Sequence, residues 1–373
     1  MTIEIPRETI IRGFLLQSGW GGAALEPLAG DASSRRYVRL RRDGNTALLM
    51  DAPPKAESAP CPPDADETTR LKLGYNAVAR LAGPDTRRFG AFAVALAARG
   101  LAPPDILDAD YEQGLMVLED LGDDLFARAI AAGTPEAPLY EAAVDVLLAL
   151  HITQAPAALG VTEPRVPLLT YDALAYKAEV DLLIDWLYPL LKGSPLPEGL
   201  RAEWDALWRK ALREIRIGTH VIVLRDYHAE NLFWLPMRHG LHRVGLIDFQ
   251  DGLGGSPAYD LVSLLEDARR DVNPELGRAM LEHYITGASN RDRHFDAEGF
   301  RSDFALLGAQ RNAKILGIFA RLWRRDRKPG YLKLIPRVWG YMARDLEAPA
   351  LADLKAWFDK NLPAELRIAP DAK

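Results

Sequence analysis

The sequence predicts an α+β protein with two lobes, a small N-terminal lobe built on an antiparallel sheet and a larger C-terminal lobe built mainly of helices. Residues 35–40 and 46–51 are strand-like runs joined by the turn-forming segment Asp-Gly-Asn, which is typical of a β-hairpin. Beyond residue 121, apolar residues recur at three- and four-residue spacing, as on the buried face of a helix. The helical segments are 139–151, 171–191, 198–216, 260–285 and 303–325. We therefore place the N-terminal lobe at 1–120 and the C-terminal lobe at 121–373.

Composition and charge narrow the classes of function. The chain has 373 residues, of which 48% are hydrophobic and 26% charged, an ordinary balance for a folded protein of about two domains. The single cysteine, Cys61, excludes a disulfide scaffold and a cysteine-rich metal knot. A net charge of −6 argues against nucleic acid and anionic membranes as general partners, because both select basic surfaces.

The sequence also carries information about location. Residues 1–8 mix apolar and charged side chains and lack the continuous apolar stretch of a secretory signal. The longest apolar run, 89–98, is about half the length that a membrane-spanning helix needs. We expect a cytoplasmic protein that does not bind a membrane.

Beside the hairpin, the N-terminal lobe is predicted to contain two helices, an exposed stretch and one further strand. A helix over 7–20 precedes the hairpin, and the stretch 53–66 contains five prolines, which favours an exposed excursion over a core element. A second helix over 86–99 ends before a pair of prolines, and a strand follows at 114–118. This strand runs into the polar segment 119–122, which we interpret as a hinge between the lobes.

Two short apolar runs interrupt the helical lobe, and each meets an aspartate within two residues of its end. The first run, 220–224, leads to Asp226 and, five residues later, to Asn231. The second run, 244–247, leads directly to Asp248. Taken singly, either acid is typical of a residue that caps a turn after a buried strand. Together the three residues supply a base and two oxygen ligands, which is the set that magnesium-assisted phosphoryl transfer requires.

These residues resemble a known family, the aminoglycoside phosphotransferases and choline kinases, which are relatives of the protein kinases. The catalytic loop of the family reads His-x-Asp-x-x-x-x-Asn, and this chain has Leu224 at the histidine position, followed by Asp226 and Asn231. Asp248 matches the metal-binding aspartate, and Asp260, in a segment similar to Gly-Asp-Pro-x-x-Asp-Leu, is expected to brace the catalytic loop. The resemblance spans nearly the whole chain. It implies a two-lobed protein-kinase-like fold, ATP as donor, Mg²⁺ on Asn231 and Asp248, and Asp226 as catalytic base.

The phosphate-binding lysine of the family is missing from this chain. Protein kinases and family members carry it on the third strand, where this chain has Met50. Arg36 is a candidate replacement, because on a strand it shares a face with Val38 and Leu40, and we expect that face to turn toward the nucleotide. A solvated arginine is the alternative interpretation.

Two further segments are expected to bind the nucleotide. The loop that contains Ser33 and Ser34 stands where the family has its flexible phosphate loop, although a glycine and two serines begin many hairpins. The predicted hinge contains Glu119 and Leu121, whose backbone groups we expect to face adenine.

A basic stripe lies on the predicted helix 303–325. At about 100° per residue, four cations fall within a stripe of about 80° beside the apolar face. They are Arg311, Lys314, Arg321 and Arg325. A solvated or ion-paired face is the ordinary interpretation. The alternative is a wall that accepts an anionic substrate, with Trp323 near a sugar ring, and the resemblance adds His228 and Glu230 as further substrate-binding candidates.

Four longer segments are similar to one group within the family, the bacterial anomeric sugar kinases of cell-wall recycling. They are residues 30–37, 49–54, 225–232 and 316–322. The similarity includes the methionine at the lysine position, which is more specific than the shared catalytic residues. It implies transfer of a phosphoryl group from ATP to the anomeric hydroxyl of N-acetylmuramate or N-acetylglucosamine, giving the α-1-phosphate in peptidoglycan recycling.

Three other functions are considered. An aminoglycoside kinase would share the catalytic residues but normally carries an acidic substrate lobe for a cationic drug. A choline or homoserine kinase would differ in its acceptor. A pseudokinase that only binds would be compatible with the missing lysine, but it has no physical need to keep Asp226, Asn231 and Asp248.

Overall fold

The computed structural model describes residues 6–28, 35–54, 60–160, 164–215 and 220–370. The chain divides into two compact units, each assembled from separated segments. The N-terminal unit comprises Met1–Ala132, Pro156–Leu168 and Glu230–Asp251. The C-terminal unit comprises Gly133–Ala155, Leu169–Ala229 and Gly252–Lys373. Compared with the predicted lobe at 1–120, the N-terminal unit continues to residue 132 and includes two segments from later in the chain.

Helices and strands follow one another along the described residues. The helices are α1 (Arg7–Gln17), α2 (Glu67–Leu73), α3 (Tyr75–Val78), α4 (Thr86–Ala97), α5 (Phe126–Ala131), α6 (Glu136–Leu150), α7 (Ala173–Leu182), α8 (Tyr188–Lys192), α9 (Glu198–Arg213), α10 (Ala258–Leu265), α11 (Pro274–Arg291), α12 (Ala297–Arg324), α13 (Ile335–Asp345) and α14 (Ala352–Asn361). The strands are β1 (Ala24–Pro27), β2 (Arg36–Arg42), β3 (Asn45–Asp51), β4 (Ile106–Asp110), β5 (Leu115–Glu119), β6 (Ala158–Leu159), β7 (Val166–Pro167), β8 (Val221–Val223), β9 (Leu232–Trp234), β10 (Val244–Leu246) and β11 (Leu253–Gly255). A π-helical segment, Leu183–Leu187, joins α7 to α8.

The N-terminal unit contains a five-stranded antiparallel sheet with the strand order β1-β2-β3-β5-β4. The predicted hairpin is β2 and β3, paired in register up to Arg42 opposite Asn45. Its turn residues, Asp43 and Gly44, have φ of 51° and 79°. Two consecutive residues in the left-handed region are what a two-residue hairpin turn requires, which explains the Asp-Gly sequence at this point.

Helix α1 covers one face of this sheet. Phe14 and Leu15 of α1 are buried in one cluster with Leu40 and Val117 of the sheet, and Val38 packs against the same cluster. Because side chains alternate between the two faces of a strand, Val38 and Leu40 mark the face of β2 that is turned toward α1.

A hairpin from late in the chain also belongs to the N-terminal unit. Strands β9 and β10 pair with each other, and single backbone bridges join Gly245 to Ala102 and Phe233 to Leu125. This pairing explains why the chain leaves the C-terminal unit after Ala229 and returns to it only at Gly252.

In the C-terminal unit, the 28-residue helix α12 packs against α7, α10 and α13. At Gly317, α12 approaches the end of α7 so closely that a Cβ atom would lie 2.2 Å from the carbonyl carbon of Leu182. Cβ atoms essentially never approach another heavy atom closer than 3.0 Å, so glycine is required at this contact.

The predicted α+β class is confirmed, with the antiparallel sheet in the N-terminal unit and most of the long helices in the C-terminal unit. The proline-rich stretch 53–66 contains no helix or strand in the part that the structure describes. No helix within the described ranges is both long enough and apolar enough to cross a bilayer.

Candidate active site

The loop that carries Asp226 follows strand β8 in the C-terminal unit and is held by a buried carboxylate. Asp260 accepts hydrogen bonds from the backbone N–H of Leu224, at 2.7 Å, and of Arg225, at 2.8 Å. Arg225 has a φ of 69°, in the left-handed region that non-glycine residues rarely adopt. The two bonds to Asp260 stabilise this sharp bend, which carries the chain from the end of β8 into Asp226.

Asp226 lies beside two cations of α12. Its side chain is 40% exposed, and its Oδ1 atom is 3.8 Å from Nη2 of Arg311. Partial burial by itself raises the pKa of Asp226, but the nearby charges of Lys314 and Arg311 more than offset it and lower the pKa to about 2. Asp226 is therefore ionised at neutral pH.

A second carboxylate, Glu179 of α7, organises the cations next to Asp226. Glu179 is fully buried, and its Oε1 atom lies 3.1 Å from Nζ of Lys314. It also accepts hydrogen bonds from Nη2 of Arg225, from the hydroxyl of Tyr171, and from Nε2 of Gln310 at 3.0 Å. Burial raises the pKa of Glu179, but Lys314 and Arg225 outweigh it and hold the pKa below its usual value. Glu179 is thus an ionised counter-ion for two cations.

His228 and Glu230 occupy different environments within the same loop. Burial lowers the pKa of His228 to about 4, so its ring is neutral at pH 7. A neutral ring accepts a hydrogen bond at Nε2, and Nη1 of Arg269 lies 3.2 Å from that atom. Asp267 accepts from the backbone N–H of Ala229 at 3.3 Å, whereas Glu230 is exposed.

The other candidate oxygen ligands lie together in the N-terminal unit. Nδ2 of Asn231 is 3.4 Å from Oδ2 of Asp248, and Gln250 donates a hydrogen bond from Nε2 to Oδ1 of Asp248 at 2.7 Å. Asp248 has a φ of 58°, so it too adopts the left-handed conformation that non-glycine residues rarely take. Gln250 thereby orients one oxygen of Asp248 and leaves the other facing the amide of Asn231.

The segment after Asp248 is fixed by helix α4 and the turn before it. Phe249 packs against Phe89, with ring centroids 4.8 Å apart. Arg88 donates to the backbone carbonyl of Gln250 at 3.1 Å, and Asp251 accepts from a backbone N–H of the turn before α4. These contacts hold the backbone of the metal-ligand candidate in its unusual conformation.

The chemistry of Asn231 and Asp248 fits Mg²⁺. One carboxylate and one amide supply hard oxygen ligands, and a magnesium ion that also binds nucleotide phosphates needs only one or two protein ligands. The described residues contain no group of three or more His, Cys, Asp or Glu arranged to hold a metal ion.

The predicted nucleotide contacts have mixed outcomes. Ser33 and Ser34 lie outside the described residues. Arg36 is exposed, and the inference about its face is wrong, because the face it shares with Val38 and Leu40 packs against α1. Val38 and Leu40 pack against α1 and help to bury its apolar side chains. The β2 sequence alone does not reveal this contact.

The hinge segment is held by residues that the sequence did not single out. Glu119 forms an ion pair with Arg238, and Leu121 is buried. Arg39 of β2 lies 2.7 Å from Asp120 and 3.0 Å from Asp123, so one guanidinium holds both ends of the turn after β5. At the lysine position, Met50 is buried, and the hydroxyl of Tyr37 lies 3.5 Å from its sulfur.

The predicted basic stripe separates into members with different partners. Lys314 is paired with Glu179, and Arg325 is paired with Asp326 at 2.7 Å. Arg321 and Trp323 are half-buried farther along α12. Nη2 of Arg311 lies 3.8 Å from Oδ1 of the Asp226 carboxylate.

Comparison with known proteins identifies the family. The sequence profile of the phosphotransferase enzyme family matches residues 24–297, well over half of the chain. The chain belongs to the phosphotransferase enzyme family.

Relatives of this phosphotransferase carry a consistent name. A Caulobacter vibrioides protein named N-acetylmuramate/N-acetylglucosamine kinase is 47% identical over 367 residues, which cover 98% of this chain and 100% of that protein. A Pseudomonas aeruginosa protein with the same name is 32% identical, over 90% of this chain and 89% of that protein. The family resemblance inferred from the catalytic segments is confirmed.

Solved structures of an aminoglycoside phosphotransferase and an ethanolamine kinase share the fold. The ADP-bound aminoglycoside phosphotransferase APH(2'')-Ib matches with a TM-score of 0.54 at 15% identity, over 90% of this chain and 98% of that one. A Plasmodium vivax ethanolamine kinase matches with a TM-score of 0.55 at 11% identity, over 95% and 93% of the two chains. At these identities the matches establish the protein-kinase-like fold and nothing about the acceptor.

Sequence reasoning about this phosphotransferase missed three polar residues beside the candidate loops, Glu179, Arg88 and Gln250. Glu179 and Arg88 lie within stretches with a helical apolar pattern, and each is a charged side chain on a buried face. A charge at a position where the helical period demands an apolar residue is the signal that would have found them.

Proposed function

We propose that this phosphotransferase is an ATP-dependent kinase that phosphorylates N-acetylmuramate and N-acetylglucosamine at the anomeric hydroxyl, giving the α-1-phosphate in peptidoglycan recycling in the cytoplasm. Nearly full-length similarity to proteins named for these two sugars supports the acceptor. The position of phosphorylation and the pathway rest on the resemblance of the four segments described above.

The observation that carries the choice of acceptor is the charge next to Asp226. Lys314 and Arg311 both lower the pKa of this carboxylate, and Arg311 is 3.8 Å from it. Two cations beside the candidate base favour a neutral or anionic acceptor over a polycation, because like charges at close range repel. N-acetylglucosamine is neutral and N-acetylmuramate carries a carboxylate, so both are compatible with this environment. An aminoglycoside is a polycation and is not compatible with this environment.

Asp226 is the proposed catalytic base. With a pKa of about 2 it is ionised but too weak to remove a proton from an alcohol before the phosphoryl group moves. It would orient the attacking hydroxyl and accept the proton late, which a loose phosphoryl transition state tolerates. An anomeric hydroxyl is more acidic than an ordinary alcohol because the ring oxygen withdraws electrons, and it suits so weak a base.

Asn231 and Asp248 are the proposed magnesium ligands, and Gln250 holds Asp248 in place through its 2.7 Å hydrogen bond. Magnesium bound to ATP there would neutralise phosphate charge during transfer. His228, neutral at pH 7, is proposed as an uncharged neighbour of the acceptor and not as an acid.

Phosphorus NMR of the product tests the proposal. The enzyme, Mg·ATP and each sugar should give a phosphate signal split into a doublet by the anomeric proton. A phosphate coupled to the two protons at C6, or faster phosphorylation of kanamycin than of either sugar, would refute the proposed acceptor. Omitting the sugar controls for slow ATP hydrolysis.

A further inference from the structure

Arg311 is a buried cation without the hydrogen bonds that a buried guanidinium normally makes. It is 4% exposed, and its Nε and Nη1 atoms have no hydrogen-bond partner among the residues that the structure describes. Its Nη2 atom is 3.8 Å from Oδ1 of Asp226, which is beyond hydrogen-bond length. Buried guanidinium N–H groups without acceptors are costly, so this position is most readily explained by a ligand group that completes their hydrogen bonds.

The surrounding side chains do not fill this role, because each has a closer partner. Lys314 and Gln310 bind Glu179. Glu266, another acid whose pKa responds to Arg311, accepts a hydrogen bond from Asn312 at 2.7 Å. The missing partner of Arg311 is therefore expected to be an anion supplied from outside the chain.

Two anions could bind there, the transferred phosphoryl group or a carboxylate on the acceptor. The proposed phosphate-neutralising ligands, Asn231 and Asp248, belong to the N-terminal unit, whereas Arg311 shares the C-terminal unit with the base that orients the acceptor. A carboxylate and a phosphoryl group both offer two oxygens that match the planar fork of arginine, so the fork does not decide between them. The unit that Arg311 shares with Asp226 favours the acceptor carboxylate.

We infer that Arg311 is a specificity-determining residue that binds the lactyl carboxylate of N-acetylmuramate and makes no equivalent contact with N-acetylglucosamine. This inference rests on the proposed function. It also explains how one site accepts both sugars, because Asp226 remains near Arg311 as a counter-ion when the sugar has no carboxylate.

Kinetics of Arg311→Gln with both sugars test the inference. We expect kcat/KM for N-acetylmuramate to fall about 10- to 100-fold, the usual effect of losing a charged hydrogen bond. For N-acetylglucosamine the change should stay within about 3-fold, so the ratio of the two constants reports the carboxylate contact and cancels any effect on Asp226 itself. Arg301→Gln, which removes an exposed arginine from the same helix, should leave the ratio unchanged.

A second measurement compares two substrates of the wild-type enzyme, so it does not depend on the stability of the Arg311→Gln variant. The methyl ester of N-acetylmuramate should be a poorer substrate than the free acid for the wild type, whereas Arg311→Lys, which keeps the charge, should discriminate less between them. Equal losses of kcat/KM for both sugars, or a wild type that does not distinguish the ester from the acid, would overturn the role of Arg311 and leave the proposed function standing. A wild type that phosphorylates neither sugar would overturn the proposed function as well.

Discussion

The Nζ atom of Lys314 lies 3.1 Å from Oε1 of Glu179, in an ion pair whose side chains are 12% and 0% exposed. Buried pairs of this kind contribute little net stability, because desolvation offsets the attraction. The pair instead fixes a positive charge near Asp226, where it lowers the pKa of the candidate base. Glu179 also binds Arg225, which precedes that base. One buried acid therefore positions both the backbone and the charge around Asp226.

Replacement of Lys314 by methionine should raise the pKa of Asp226 above its present value of about 2, because the nearby charge that lowers this pKa most is removed. The acid limb of the kcat/KM profile should move to higher pH. The free energy of unfolding should also fall, by about 3–5 kcal/mol, since Glu179 loses one partner. A pH series of initial rates and a urea titration measure the two effects.

The double variant Lys314→Met with Glu179→Gln tests whether the shift of the acid limb depends on Glu179. It removes both members of the pair but also the buried counter-ion of Arg225, so it should be no more stable than the single variant while keeping the shifted acid limb. An acid limb that stays in place in both variants would contradict the assigned influence of Lys314 on Asp226.

Asp226→Asn should lower kcat by about 10²–10⁴-fold, because the amide keeps the shape of the side chain but cannot accept the proton. Asp260 still holds the loop backbone, so folding should be retained. Nucleotide affinity, measured by calorimetry, should also change little. A variant with near-normal kcat would show that Asp226 is not the base.

Asp248→Ala should weaken nucleotide binding only when magnesium is present, because the proposed role of Asp248 is to bind the metal. Calorimetric titrations with Mg²⁺ and with EDTA provide the comparison, and neither depends on turnover. Gln250→Ala should produce a smaller loss in the same direction, since it removes the 2.7 Å hydrogen bond that orients Asp248. Unchanged Mg·ATP affinity in Asp248→Ala would exclude it as a ligand.

The wild type should lose stability as the pH rises, because Asp345 holds a proton in the folded state. Asp345→Asn should remove this loss. Burial, and then the neighbouring charge of Glu266, raise the pKa of Asp345 well above its ordinary value of 3.8. The folded state thus holds a proton that the unfolded chain releases, so this stabilisation is complete below pH 3.8 and disappears as the pH rises through the folded-state pKa. Asn312 donates to both acids, at 2.7 Å and 3.0 Å.

Melting temperatures measured from pH 5 to pH 9 check this expectation. The difference between Asp345→Asn and the wild type should become more favourable to the variant as the pH rises, and it should level off once the pH passes the folded-state pKa of Asp345. A difference that is constant across the series would mean that Asp345 does not retain a proton in the folded state.

Local patterns predicted much of this molecule, and tertiary contacts account for what they missed. The Asp-Gly turn specifies the β2–β3 hairpin because the two residues tolerate positive φ. Asp226 and Asp248 could be found because each follows a short apolar run. The sequence could not show which way the face of Arg36 turns, because β2 carries arginines on both faces and only the packing of α1 decides which face is covered. The charge of Glu179 at a buried helical position is visible in the sequence, but its partners are not, because they come from segments far away in the chain.

The positions of the charges around Asp226 depend on an uncharged packing contact, the one between Gly317 and Leu182. Lys314 and Arg311 lie three and six residues before Gly317 on α12, and Glu179, the counter-ion of Lys314, stands one turn before Leu182, which Gly317 touches. The missing side chain therefore sets the gap between the helix that carries the cations and the helix that carries their acid. Any larger residue at 317 would push the two helices apart, and it would change the pKa of Asp226 without contacting that residue.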